Sequence, residues 1–456
     1  MKKQFIFGIG GLLVFLVFYS LIWPSAPIVS GLDSKEYLQA AQELSRFCLN
    51  SIFRTPGYPA FIALLHSAEK PSRFFFEISL VLHFLSVCFI TGVLFSLNLS
   101  KKACLIFSLI LVLPIYTLHA AFMLSETLSE FVLSLGFWGL WFGMAKKRFS
   151  LLVVGSLALA LSGLVKPTYQ FLPIALSITL MMVKGSSPKL ETKWNPLRKA
   201  AITMLLGMVL IEGGFSLRNF FKYGYFEISP RLGLDLSSRT ASYVERLPDK
   251  YKEVRELMIK RRDAQLIERG SAHVGHQYFH DSGYYQQLEL ITGFKGPALF
   301  HYLGKLNFLL IREAPLNYLL EVGRSFVCFW FPYLPKKIIK GNRIALIFWT
   351  FFHFGIIFLF AAQLQIFLGK MAVRIYSRAV GFYKRKILEL NNPDRLAYLL
   401  AGVIVAYNCM ISCAFATGDP RYRVPTDIFI LFMTFLGGTL AYQSLVDEKN
   451  SKNKLI

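Results

Sequence analysis

Between Ile78 and Asn98 the chain reads Ile-Ser-Leu-Val-Leu-His-Phe-Leu-Ser-Val-Cys-Phe-Ile-Thr-Gly-Val-Leu-Phe-Ser-Leu-Asn, and this stretch decides the class of fold. An apolar run of about 20 residues, wound as a helix, matches the hydrocarbon thickness of a bilayer. Lipid offers backbone N–H and C=O groups no partners, so a spanning segment must be a helix or part of a closed barrel. Barrel strands are short and alternate in polarity; this run is long and unbroken. Comparable runs lie at about 5–23, 103–123, 127–145, 150–165, 168–184, 200–217, 344–368, 397–417 and 427–444, with 316–334 as a further candidate. The pattern predicts an all-α multi-pass membrane protein, a bundle of about 10–11 transmembrane helices with two outer-face loop segments.

Composition agrees. Of 456 residues, 54% are hydrophobic and 17% charged, against about 25% charged in soluble domains; the mean hydropathy is +0.48. The net charge of +23 would suggest nucleic acid in a soluble protein. Here much of it falls in short loops between apolar runs, where Lys and Arg mark the cytoplasmic side, so no nucleic-acid partner is expected. Cys48, Cys88, Cys104, Cys328, Cys409 and Cys413 show no paired ligand spacing, so these cysteines indicate neither a disulfide framework nor a zinc site. The opening Met1-Lys2-Lys3 and apolar run to Trp23 exceed the usual signal-peptide core of about 7–15 residues, so a retained first span is expected.

Lys101-Lys102, Lys146-Lys147-Arg148 and the stretch 184–199 fall in alternate loops, all cytoplasmic if the N-terminus is inside. Two segments then lie outside, 24–76 and 218–315. Within the second, a charged helix is expected over 245–269, with Tyr251, Val254 and Met258 on one face. In the C-terminal third, the basic loop with Lys336, Lys337, Lys340 and Arg343 competes with the richer one from Lys370 to Lys386. Placing the second inside makes 316–334 a half-inserted helix and gives ten spans; eleven would move the Asp419–Arg423 loop inside.

On ten spans, polar residues from separate loops meet at the outer face. These are Asp33 and Tyr37 in Gly31-Leu32-Asp33-Ser34-Lys35-Glu36-Tyr37, Arg54 and Tyr58 in Arg54-Thr55-Pro56-Gly57-Tyr58-Pro59, and Glu126 after Ser125. Lys166-Pro167, Arg218-Asn219 and the loop with Arg421 and Arg423 complete the set. Ionisable groups cost about 2.5–3.5 kcal/mol each at mid-membrane, so such residues mark function. Carboxylates with an excess of cations suit a phosphate-bearing substrate and a proton to be removed. Plainer roles compete: a helix cap for Asp33, an interfacial anchor for Arg54, snorkelling for Lys166 and Arg218. His273, His276 and His280 with Asp281 offer metal-ligand atom types in a loop-like stretch. No Walker, dinucleotide or serine-nucleophile motif is present.

The order of a short first span, Asp33-x-x-x-Tyr37, Arg54-x-Pro-Gly-Tyr-Pro, Ser125-Glu126, Lys166-Pro167, Arg218-Asn219 and Arg421-Tyr-Arg423-x-Pro resembles the C-type (GT-C) glycosyltransferase superfamily. The branch it is similar to includes bacterial relatives of protein mannosyltransferases and the lipid A aminoarabinose transferase. The resemblance covers nearly the whole chain, 1–456 as one GT-C-like membrane domain. It implies inverting transfer of one sugar from a polyprenyl-phosphate donor to a surface glycan or glycolipid, in the bacterial inner membrane with the site facing the periplasm or exterior. By resemblance Asp33 is the general base and Glu126 the second acidic position. Arg54, Lys166, Arg218, Arg421 and Arg423 would bind the donor phosphate; Tyr37, Tyr58 and Asn219 would contact substrate. No cofactor or metal ligand is required, although relatives differ on a divalent metal. Protein mannosyltransferases carry Asp-Glu where Asp33 is followed by Ser34, which turns the expectation from protein acceptors to glycans. Two other readings stand beside it, an O-antigen polymerase or ligase and a polytopic transporter or flippase.

Overall fold

The computed structural model describes residues 15, 19, 29, 31–46, 48, 54–183, 196–269, 282–332, 343–379, 393–416 and 418–453. Apolar helices dominate, and no strand occurs among these residues. The chain is an all-α multi-pass membrane protein. In order, the helices are α1 Gly31–Ser45, α2 Gly57–Leu64, α3 Arg73–Ser96, α4 Lys101–Leu111, α5 Glu126–Ala145, α6 Phe149–Val165 and α7 Leu172–Met182. There follow α8 Pro196–Tyr223, α9 Leu232–Thr240, α10 Lys252–Arg269, α11 Ser282–Thr292, α12 Pro297–Glu313, α13 Pro315–Phe329, α14 Arg343–Ala379, α15 Pro393–Phe415 and α16 Asp427–Asn453.

Among the described residues six helical stretches are long and apolar enough to span a bilayer, and a seventh if α4 and Pro114–Ala121 count as one span bent by 57°. The bend follows from Pro114, which cannot donate to the preceding turn. α6 is apolar but shorter, and the segment expected at 168–184 divides into a tight turn, Pro167–Tyr169, and α7. Most of the expected first span and the residues His273, His276 and His280 lie outside the described residues, although Phe15 and Tyr19 pack on Phe76 and Leu80 of α3. α13, at 15 residues, reaches only about 22 Å. That is short of the roughly 30 Å hydrocarbon core.

Two cores organise the molecule. The larger joins α3–α8 with α14–α16 through residues such as Phe107, Phe137, Phe429 and Phe432. The second lies within 218–315, where Val254 and Met258 of α10 meet Leu234, Leu288 and Phe300, as the one-face pattern predicts. Asn307 secures α12 to α9. Its amide donates to the Gly233 carbonyl (2.6 Å) and accepts from Thr240 (2.6 Å).

α5 and α6 cross almost backbone to backbone. A Cβ on Gly155 would stand 2.5 Å from the Leu140 nitrogen and 2.8 Å from the Gly136 oxygen, so these small residues set the approach. The crossing matters for function because α5 begins with Glu126 and α6 ends just before Lys166. Gly155→Leu is expected to destabilise the protein by about 3 kcal/mol or more, whereas Gly214→Ala, where an added Cβ meets nothing within 4 Å, should be neutral within about 0.5 kcal/mol. Unfolding midpoints in detergent check both.

Candidate active site

Site residues sit at the ends of helices on one face. Pro167 disfavours a helical Lys166; the residue is extended (φ −145, ψ 114) and ends α6. Its ammonium donates to Glu126 Oε1 at 3.3 Å and lies 4.8 Å over the Tyr422 ring. Both partners are buried, at 5% and 2% exposure. Burial pulls the Lys166 pKa below the ordinary lysine range; the Arg421 charge adds to this and Glu126 opposes it. The second oxygen of Glu126 is buried and has no hydrogen-bond partner among the described residues.

The turn that carries Arg54 docks against this point. A Cβ on Gly57 would come within 2.7 Å of the Leu164 carbonyl carbon and oxygen, so glycine permits the contact. Arg54 pairs with Asp33 Oδ1 and with Glu36 Oε2 at 2.7 Å, and lies 4.5 Å over the Tyr37 ring. Burial opposes its charge, but Asp33, Tyr37 and Glu36 outweigh that and raise its pKa well above the usual value. Asp33 stands inside the first turn of α1, where a negative charge also suits the helix dipole, rather than capping a helix from Ser34. Ser34 donates to the Met123 carbonyl (2.9 Å) and Tyr37 to Ser125 (3.3 Å), which fixes α1 over the entry to α5.

Arg421 completes the centre. Asp419 caps the 3-10 turn Pro420–Thr426 by accepting from the Arg421 backbone N–H at 2.8 Å. The Arg421 guanidinium donates to Asp33 Oδ2 at 2.6 Å and reaches Glu126 Oε1 at 3.2 Å. One side chain thus bridges both acids singled out from the sequence.

A cavity of ≈ 470 Å³ opens over these groups, within the range of about 300–1,000 Å³ common for ligand sites. Its charged lining is balanced: Asp33, Glu126, Glu227 and Asp235 against Arg54, Lys166, Arg231 and Arg421. The sequence reading missed Arg231 and Asp235, which come from the long segment 218–315. Arg231 joins the cluster through Glu36 Oε2 at 3.1 Å. The rest of the lining mixes polar side chains such as Thr55, Ser125, Thr168, Gln170 and Ser229 with apolar ones, including Phe171, Phe226, Ile411 and Phe415, with Phe171 and Phe226 more than half exposed.

The excess of cations expected from the sequence does not assemble, because two arginines go elsewhere. Arg423, 1% exposed, turns away from the cavity. It donates to Asp427 (2.6 Å) and to the Phe329 and Phe331 carbonyls (2.5 and 2.7 Å), so it bolts the turn to the end of α13. Arg218 lines no part of the cavity; it donates to Asn219 at 2.8 Å and lies over Phe215 and Tyr223. Asn219 lines a small neighbouring cavity that shares Arg54 and Glu227. Tyr58 is buried behind Tyr37, edge-on at 4.7 Å, and supports that ring without lining the cavity. Among the described residues one further cluster has metal-ligand chemistry, the buried trio His83, His119 and Glu130.

No protein-family model and no curated protein sequence matches the chain. The chemistry follows from the geometry. A buried, charge-neutral group of acids and cations lining a cavity can give up a cation from one of its carboxylates to an external anion, leaving that carboxylate to take a proton.

The two arginines of the turn should separate cleanly. Arg423→Ala breaks a buried pair and should cost about 3–5 kcal/mol. Arg421→Ala, whose carboxylate partners keep Arg54 and Lys166, should cost less, about 1–3 kcal/mol. Unfolding midpoints of the two variants check the order, and equal losses would contradict the division of roles.

Proposed function

We propose that the chain is an inverting glycosyltransferase that moves one sugar from a polyprenyl-phosphate donor to a cell-surface glycan or glycolipid. In this reading the site faces the periplasm or exterior of a bacterial inner membrane and belongs to a GT-C-like fold. The observation that carries it is the pairing of Asp33 with exchangeable cations in a cavity that also presents a set of large apolar side chains, Phe171, Phe226, Ile411 and Phe415. A sugar phosphate fits the first part and an isoprenoid chain the second.

The charge balance gives the order of events. The donor phosphate draws Arg421 and Lys166, which partly releases Asp33 Oδ2. A carboxylate relieved of one guanidinium is a stronger base. The acceptor hydroxyl oxygen then bonds to the anomeric carbon from the face opposite the phosphate as the carbon–oxygen bond to phosphate breaks. The hydroxyl proton passes to Asp33, and the electron pair leaves with polyprenyl phosphate. Arg421 and Lys166 hold the second negative charge that develops there, a stabilisation of several kcal/mol in a site shielded from water. Glu126 keeps Lys166 and Arg421 aimed, and Arg54 holds Asp33 in register with the acceptor.

Purified protein incubated with polyprenyl-phosphate sugars and membrane glycans should form glycosylated product and free polyprenyl phosphate. Asp33→Asn should lower kcat by roughly 10²–10⁴-fold, measured on the fraction that remains folded. Full activity in that variant would remove Asp33 as the base, and absence of transfer with any polyprenyl-phosphate sugar would remove the reading.

A further inference from the structure

We propose that His83, His119 and Glu130 form a binding site for a divalent ion of the zinc type, which clamps α3 and the turn Leu118–Ala121 to the first turns of α5. The site lies outside the substrate cavity and stands independently of the glycosyltransferase reading.

His83 supplies the decisive geometry. α4 ends at Leu111 because Pro114 interrupts the helix, and this leaves the Leu111 carbonyl without its helical partner. His83 Nε2 lies 3.0 Å from that carbonyl oxygen. A carbonyl only accepts, so Nε2 carries the proton and Nδ1 presents a lone pair. Nδ1 points at Glu130 Oε2, 3.1 Å away. Two lone-pair atoms at that separation need a proton, on the ring or on the carboxyl, or a metal ion between them.

The surroundings favour the metal. His119 Nε2 lies 2.8 Å from the same Glu130 oxygen, and the donor atoms of all three residues fall within 4.8 Å of one another. Zinc–nitrogen bonds near 2.0 Å in tetrahedral geometry place ligand atoms about 3.3 Å apart, close to the separations seen. Two imidazoles and one carboxylate form a donor set that zinc takes, with a fourth position open. A carbonyl bound to the other ring nitrogen of a liganding histidine is the usual device that orients it. The trio borders a small cavity of ≈ 20 Å³ that His353 and Asp427 also line, room for about one water as the fourth ligand. Arg423 lines it too, but Asp427 and two carbonyls already engage that guanidinium. All three ligand side chains are buried, at 1%, 6% and 2% exposure.

The consequence is positional. Glu130 follows Glu126 by four residues on α5, so both acids share one helix face. An ion at Glu130 would fix the helix start that presents Glu126 to the substrate cavity.

The test uses the full-length protein, stripped of metal and titrated with zinc chloride. Elemental mass spectrometry should find one zinc per chain at saturation, and the unfolding midpoint should rise to a plateau at one equivalent. His119→Ala and Glu130→Gln should each weaken binding by at least roughly 10-fold and abolish that rise. Replacing His273, His276 and His280 together with Ala should leave both intact. The proposal fails if the unsubstituted protein takes up no zinc or keeps its midpoint, a result that needs no variant to fold. It also fails if His119→Ala retains the ion, or if the triple variant loses it.

Discussion

The structure turns on one guanidinium placed between two acids. Arg421 joins Asp33 to Glu126, and through them α1, the start of α5 and the turn before α16. Charges at the edge of an apolar bundle are tolerable only when compensated locally. Here the compensation is complete around the cavity, four carboxylates against four cations. Such a group is charge-neutral by itself, yet any one carboxylate within it can be displaced from its cation by a ligand of the same sign.

That exchange requires backbone accuracy, and glycine and proline supply it. Gly57 lets the Arg54 turn press on the end of α6. Pro167 stops α6 at the point where Lys166 must reach Glu126. Gly155 lets α5 and α6 approach closely enough for the two residues to meet. The site is therefore a property of helix ends held by a rigid core. The face opposite carries exposed lysines and arginines, Lys101, Lys102 and Lys146 to Arg148, as a loop face rich in positive charge should.

How far the sequence reveals this depends on which physical rule governs each residue. Spanning helices follow from composition alone, because lipid leaves the backbone no alternative. Asp33, Arg54, Glu126, Lys166 and Arg421 are legible because each stands beside an apolar run with a turn signal. Arg423 has the same signal two residues from Arg421, but in a tight 3-10 turn the two side chains leave in different directions, and only the position of α13 decides which enters the cavity. Arg218 fails for a similar reason, its guanidinium being held by its own helix neighbours. Arg231 and Asp235 were hidden because the fold of 218–315 rests on contacts such as Asn307 with Gly233, far apart in sequence. His83, His119 and Glu130 lay inside apolar runs, where an ionisable residue is itself a signal that spacing cannot group into a trio.

The measurement that tests the exchange most directly is a high-resolution cryo-EM structure with polyprenyl phosphate bound. The account predicts phosphate oxygens within hydrogen-bond distance of Arg421 and Lys166, the prenyl chain along Phe171 and Phe415, and Arg421 withdrawn from Asp33 Oδ2. A phosphate bound away from this cavity, or one bound while Arg421 still bridges Asp33 and Glu126, would contradict it.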